Sequence, residues 1–315
     1  MLRRLIGRLG AAGLLLLLVS FLVFSLVSMA PGSLETTLLG ARPASPELIH
    51  SIRLQYHLDD PFLLRYLRWL TEAAHLDFGR SIVTSEPVSS AVSARAAVSA
   101  ELAVLAFLVA AMIGVPAGLA AAAWRGRAAD RAITLAAILG MSAPPFAVGT
   151  LLIYLFGVRF PVLPVYGAGD GPGDRLLHLA LPAVALGAGL AALVVRQTRA
   201  AALGVLDQDY LTFARARGLS RVRVQTTYAL RNVALPIISS LGLVLIVALP
   251  GAILVEVVFS LPGVGSMMVE SVGAKDVPVV QALAIFTALY VVVVNTGVDL
   301  CSLLIDPRLR DGAAR

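Results

Sequence analysis

The stretch Asp209–Pro236 reads DYLTFARARGLSRVRVQTTYALRNVALP. It carries five arginines and joins one long apolar run to the next. Asp207 predicts an N-cap for a short helix that ends near Arg217. Gly218 can take the left-handed backbone that terminates it. Ser220 predicts the cap of a second helix, Arg221 to about Arg231, and Pro236 then falls in the first turn or so of the next apolar run. The expected unit is helix, Gly-Leu-Ser elbow, helix, with Leu219 and its neighbours exposed at the elbow.

The rest of the chain sets where this unit lies. Of the residues, 58 % are hydrophobic and only 14 % charged, against roughly a quarter charged in soluble domains. Mean hydropathy is +0.88. Six apolar segments stand out: Leu9–Met29, Val98–Ala123, Ala132–Gly157, Leu176–Val195, Leu235–Val257 and Val277–Ile305. Each is long enough to cross a bilayer, and backbone in hydrocarbon must satisfy its own hydrogen bonds, so each is expected to be a helix. The first follows Arg3, Arg4 and Arg8 and ends at SMAPGS, which imitates a leader with its cleavage site. Its length and the spans that follow favour a retained first helix.

Charge orients the spans. With the N-terminus inside, sixteen of the 25 basic residues fall in the inside segments 1–8, 124–131, 196–234 and 306–315. The outside segments are longer and hold nine. The positive-inside rule therefore predicts both termini, and the opening stretch, in the cytoplasm. The expected division is a first helix over 1–30, an outside region over 31–94, a five-helix core over 95–305 and a tail over 306–315. Within the outside region, PELIHSIRLQYHL and PFLLRYLRWLTEAAHL have helical apolar spacing, broken by DDP at Asp59–Pro61. Gly167–Asp174, GAGDGPGD, is a turn-rich loop. No strand precedes it, so a phosphate-binding loop is not indicated.

Several functions lack their parts. Lys275 is the only lysine and no GxxxxGK precedes it, so the chain has no Walker A site. There is no HExxH, no GxSxG and no Cys/His cluster; Cys301 is the single cysteine. His50, His57, His75 and His178 are scattered and predicted outside or at a membrane edge. The basic balance marks topology, not nucleic acid. Glu101 and Glu256 fall near the outer ends of their spans and Asp299 near an inner end. End placement favours structural pairing or gating over a proton relay. Gly114 and Gly118 form a GxxxG around Pro116, which permits close helix packing.

Two readings of the arginine-rich unit remain. Its arginines could meet anionic headgroups, or the unit could dock a protein. Ala214, Ala216 and Gly218 are too small for deep lipid insertion and suit close packing, which favours docking.

ARARGLSRVRVQTTYALRNVALP resembles the cytoplasmic coupling loop of binding-protein-dependent ABC importers, most closely the first, B-type, permease subunit of the dipeptide/oligopeptide/nickel family. LDDPFLLRYLRWL, LDFGRSIVTSEPV, VEVVFSLPGVGSMMVESVGAKDVPVVQA and NTGVDLCSLLIDPRLR are similar to further segments of that family, in order. The superfamily's Glu-Ala-Ala falls here on Thr212, Phe213 and Ala214, of which only the second Ala is kept, and its later Pro falls on Arg231. Loss of the Glu and the Pro is usual for this subfamily's first subunit, whereas Phe213 in place of a small residue is expected to alter how the loop packs. The resemblance implies an all-α, type I importer permease fold with six spans in a bacterial cytoplasmic membrane. It implies no enzyme activity and no cofactor in this chain, with ATP bound by partner subunits. The implied partners are a second homologous permease, two ATP-binding cassette subunits and an extracytoplasmic solute-binding protein. Di- or oligopeptides are the implied substrates. The coupling residues would be Thr212, Phe213, Ala214, Arg215, Ala216, Gly218, Leu219, Ser220 and Arg221. The loop Leu261–Lys275, with Leu261, Pro262, Gly263, Val264 and Gly265 at its turn, is the candidate outer gate or binding-protein contact. The rival expectation is an ion-coupled carrier or channel that acts without ATPase partners; no inverted repeat of broken helices supports it.

Overall fold

The computed structural model describes residues 2–29, 59–218 and 230–305, with His50 and Ser220. Ten helices carry the described chain: α1 (Leu2–Ser28), α2 (Phe62–Ala74), α3 (Val88–Ala123), α4 (Ala128–Ser142), α5 (Pro145–Ile153), α6 (Pro172–Leu206), α7 (Asp209–Ala216), α8 (Leu230–Val258), α9 (Val264–Gly273) and α10 (Val277–Ile305). Extended pairing among the described residues is one isolated bridge, Arg80 with Pro87.

Four of these helices are long and apolar enough to cross a membrane: α3, α6, α8 and α10. A fifth span exists if α4 and α5 are counted together. The apolar part of α1, Gly10–Leu26, is shorter. Of the six expected spans, the described residues show four, a bent fifth and, for the first, a shorter apolar helix.

The bend corrects the expectation of one straight helix over Ala132–Gly157. α4 and the helix that continues α5 to Arg159 meet at 95°. The sequence there is Ser-Ala-Pro-Pro, and Ala143 and Pro144 are extended, with ψ 119° and 136°. A residue before proline is pushed out of the α region, and two prolines in succession enforce that twice. Pro145 then opens α5, where its missing N–H costs nothing. A π-helical turn, Tyr154–Arg159, closes the second limb.

The chain forms two compact units. One comprises Ala97–Ser266 and Val291–Arg315, the other Leu2–Ala96 and Met267–Tyr290. This division differs from the sequence division in assigning Met267–Tyr290 with the N-terminal residues.

In the first unit α6 is the central helix. Of its most apolar window 67 % is buried inside the protein, against 33 % for α3, 39 % for α8 and 22 % for α10. Burial at that level demands small side chains at the crossings. The GxxxG of α3 supplies them: a Cβ on Gly114 would lie 2.6 Å from the Val194 Cβ, and one on Gly118 would lie 2.6 Å from the Thr198 Cβ. α6 returns the contact through Gly187, whose Cβ would sit 2.8 Å from Val109. Close backbone approach brings the dispersion contacts that hold helices together where no hydrophobic force acts between them. Val98, Leu102, Leu186, Val194, Val244 and Val255 are among the buried residues of that core.

In the second unit α2 stands on the end of α1. Phe21 and Phe24 pack edge-on against Tyr66, and Tyr66 Oη lies 2.9 Å from the Ser20 hydroxyl in a buried contact. The helix expected from PFLLRYLRWLTEAAHL is therefore present, starting after the DDP break. The helix expected from PELIHSIRLQYHL lies outside the described residues apart from His50.

Candidate functional site

α7 begins two residues after α6 ends. Asp207 does not cap it. Asp207 closes α6, and both its carboxylate oxygens accept from Arg125 Nη1 at 2.9 Å. Asp209 instead sits in the first turn of α7, where its charge favours the helix dipole. At the other end the Arg217 N–H donates to the Phe213 carbonyl, and Gly218 has φ +76°. The elbow is thus a helix stopped by a left-handed glycine, as the sequence predicts. Nothing lies within 4 Å of a Cβ placed on Gly218, so its requirement is conformational and not steric.

Leu211 is fully buried and anchors α7, and Asn232 at the start of α8 donates to Tyr210 Oη at 2.9 Å. The outward face carries Tyr210 and, three residues on, Phe213, which is 69 % exposed. Thr212, Ala214, Arg215 and Ala216 complete the helix; Ala216 is exposed, as are Gly218 and Ser220. Leu219, Arg221 and the second expected helix, but for Leu230 and Arg231, lie outside the described residues. Those two residues open α8, so Pro236 is inside that helix and not in its first turn.

The second predicted element, Leu261–Lys275, is a turn followed by helix α9, not a loop. Pro262 is exposed, whereas Leu261, Gly263, Val264 and Gly265 are buried. α8 closes with Ser260 at φ +51°, the Leu261 N–H reaching back to the Glu256 carbonyl and Ser260 N–H to Val257, a Schellman closure. Beneath the turn lies the fully buried Glu256. Its Oε1 accepts from Ser99 Oγ at 2.7 Å and its Oε2 from the Ser266 N–H at 3.0 Å, at the start of α9. Ser99 Oγ in turn accepts from the Val264 N–H at 2.8 Å. A carboxylate so placed satisfies the first free N–H groups of α9 directly and through one serine. A Cβ on Gly263 would overlap that carboxylate, and one on Gly265 would come 2.9 Å from it. The glycines of LPGVG are therefore the space that lets a buried acid approach the backbone.

Two other segments meet in the second unit. Asp276, buried, accepts from Ser81 Oγ and from the N–H groups of Ile82 and Val83. It thereby ties the FGRSIVTSEP loop to the turn before α10, and in the same unit Arg95 pairs with Glu270 at 3.1 Å. Sequence reading passed over Asp276 and Ser81. Their signal was a serine and an aspartate in two separate loops, which spacing cannot join. Of the other acids, Glu101 pairs with Arg175 at 3.2 Å and Asp299 is half-buried in α10. His178 bonds the backbone of Asp174 one turn earlier.

Residues 114–311 match the family described as binding-protein-dependent transport system inner membrane component, and residues 1–103 match the N-terminal part of such membrane components. The chain is 37 % identical over 295 residues to the glutathione transport system permease protein GsiC of Escherichia coli (strain K12), covering 94 % of each chain. Its counterpart from Salmonella paratyphi A is 36 % identical over the same length. Among solved structures, the inward-facing MetNI methionine ABC transporter is similar in fold, with a TM-score of 0.59 at 15 % identity, over 71 % of this chain and 100 % of that one.

Proposed function

The chain belongs to the family of binding-protein-dependent transport inner membrane components and is an ABC importer permease; from that premise we propose how it assembles and couples. It forms half of a translocation pathway with a second homologous permease. Two ATP-binding cassette subunits supply the energy, and an extracytoplasmic solute-binding protein delivers the solute. Both termini and α7 face the cytoplasm, in keeping with the bias of arginines.

The observation that carries the coupling role is α7 itself. It is a short helix, held at one side by the buried Leu211 and ended by a left-handed glycine, with Tyr210 and Phe213 turned outward. A rigid exposed aromatic pair is an anchor for a partner's groove. Thr212–Ala216, Gly218, Leu219, Ser220 and Arg221 form the docking segment. Closure of the ATPase pair displaces it and biases the helices between two states. Leu261, Gly263, Val264 and Gly265 act as part of the outer gate, a role that their burial supports over binding-protein contact.

Peptides are the substrates. The 37 % identity to permeases named for glutathione, itself a tripeptide, supports that class.

Replacing Gly218 tests the coupling role. Gly218→Val should abolish uptake and stimulated ATPase activity in an assembled importer, while Gly218→Asn, which tolerates the left-handed region, should retain both. Normal uptake by the assembled valine variant would show that the elbow does not couple.

A further inference from the structure

The residues that position α7 extend beyond it. Asp130 lies in the first turn of α4, and its side chain is 5 % exposed. Four donors converge on its carboxylate. Arg199 Nε reaches Oδ1 at 2.6 Å and Arg199 Nη2 reaches Oδ2 at 2.8 Å. The Gly126 N–H donates to Oδ2 at 2.9 Å, and Thr134 Oγ1 to Oδ1 at 3.3 Å. Gly126 has φ +77°, which turns its N–H back toward α4. The fork-on-fork geometry fixes orientation as well as distance.

Arg199 stands on α6, seven residues before its end, which is about 10 Å along the helix. Arg125 in the α3–α4 turn pairs with Asp207, the residue that closes α6. Two links therefore run from that turn and α4 to the last two turns of α6, and α7 follows after two residues. The Arg125 link is exposed and weak on its own. The Asp130 link is not. Between α4 and α6, Ala137, Ala192 and Val195 form a small apolar core.

We propose that Asp130 and Arg199 are positioning residues of the coupling machinery. They lock α4, the first limb of the bent span, to the end of α6, so that displacement of α7 moves α4 and α6 as one body. The inference rests on the coupling role proposed for α7. The pair is half-buried, with the Arg199 side chain 29 % exposed; such a pair contributes little net stability compared with apolar residues of like volume, yet it fixes a unique geometry. A rigid joint is a use for that property here.

Spin-label distances in the assembled importer test this. The background is Cys301→Ser. The first label pair is Arg127→Cys with Gln208→Cys, across the joint; the second is Gln208→Cys with Gly297→Cys, from the joint to α10, where a side chain at 297 has open space. Each is measured without nucleotide and with ATP and vanadate. The joint distance should move by less than the ~1–2 Å of ordinary helix shifts, while the second distance changes. In D130L/R199M, an apolar pair chosen to keep packing, the joint distance should become nucleotide-dependent and ATPase activity should persist. A joint distance that shifts with nucleotide in the native pair, or stays fixed in D130L/R199M, overturns the proposal. Absence of copurifying ATPase would instead refute the coupling role of α7, and with it the inference.

Discussion

Glu256 shows how one buried acid can shape a segment. It is fully buried, bonded to Ser99 and to the N-terminus of α9, and roofed by glycines. Removing a partner from such a group leaves the others unsatisfied, at a cost of about 1–3 kcal/mol. Glu256→Ala should lower thermal stability in detergent by that order, because Ser99 and the Ser266 N–H lose their acceptor. Gly263→Ala should do likewise, since its Cβ overlaps the carboxylate. The double variant should cost less than the sum of the two, because the alanine at 263 then fills space that the missing carboxylate leaves. Additive melting shifts would mean that glycine and acid act separately. Sequence alone marked Glu256 as a span-end acid with a pairing or gating role. It did not show the partner, because Ser99 is 157 positions away.

At the scale of elements, helix ends were harder to read than helices. α10 spans the predicted Val277–Ile305, and α6 and α8 enclose their predicted segments. Apolar runs are insensitive to tertiary detail. Endings are not. α2, α8 and α9 stop at Leu76, Ser260 and Lys275, which have φ +61°, +51° and +56°. Each accompanies a Schellman pattern of N–H groups. Glycine usually marks that position, and none of these residues is glycine, so no local signal was available. Leu76→Gly should therefore stabilise the protein by about 1 kcal/mol, since it relieves a left-handed conformation costly for a leucine. Leu76 is 68 % exposed, so little packing is lost. A lowered melting temperature would contradict this. The bend at Ala143–Pro144 has its signal in Pro144-Pro145, which reading Ala132–Gly157 as one apolar span passed over. GxxxG was read as permission for close packing, and α3 and α6 use it. Gly118→Leu should cost roughly 1–3 kcal/mol by overpacking against Thr198 and Val195. Gly13→Leu, in α1 with open space around it, should not. Equal effects on assembly yield from the two would remove the crossing as the cause.

For the whole molecule, apolar runs and charge bias identify a membrane protein of several spans. The identity of 37 % over nearly its full length to glutathione permeases makes it an importer permease. What the sequence of one chain does not contain is the partners that permeases of this family work with. Tyr210 and Phe213 stand outward on α7, a helix of eight residues in which Leu211 is the buried anchor among the described side chains. Such a helix has a use when another protein completes its packing. The most direct measurement is to purify the chain in mild detergent with its native neighbours coexpressed, and to assay ATP hydrolysis with and without the solute-binding protein. The account predicts that a second permease and ATPase subunits copurify, that the binding protein stimulates hydrolysis, and that Phe213→Glu on α7 releases the ATPase. Recovery of the native chain alone, with transport driven by an ion gradient, would contradict it and leave the arginines of the opening stretch as lipid anchors.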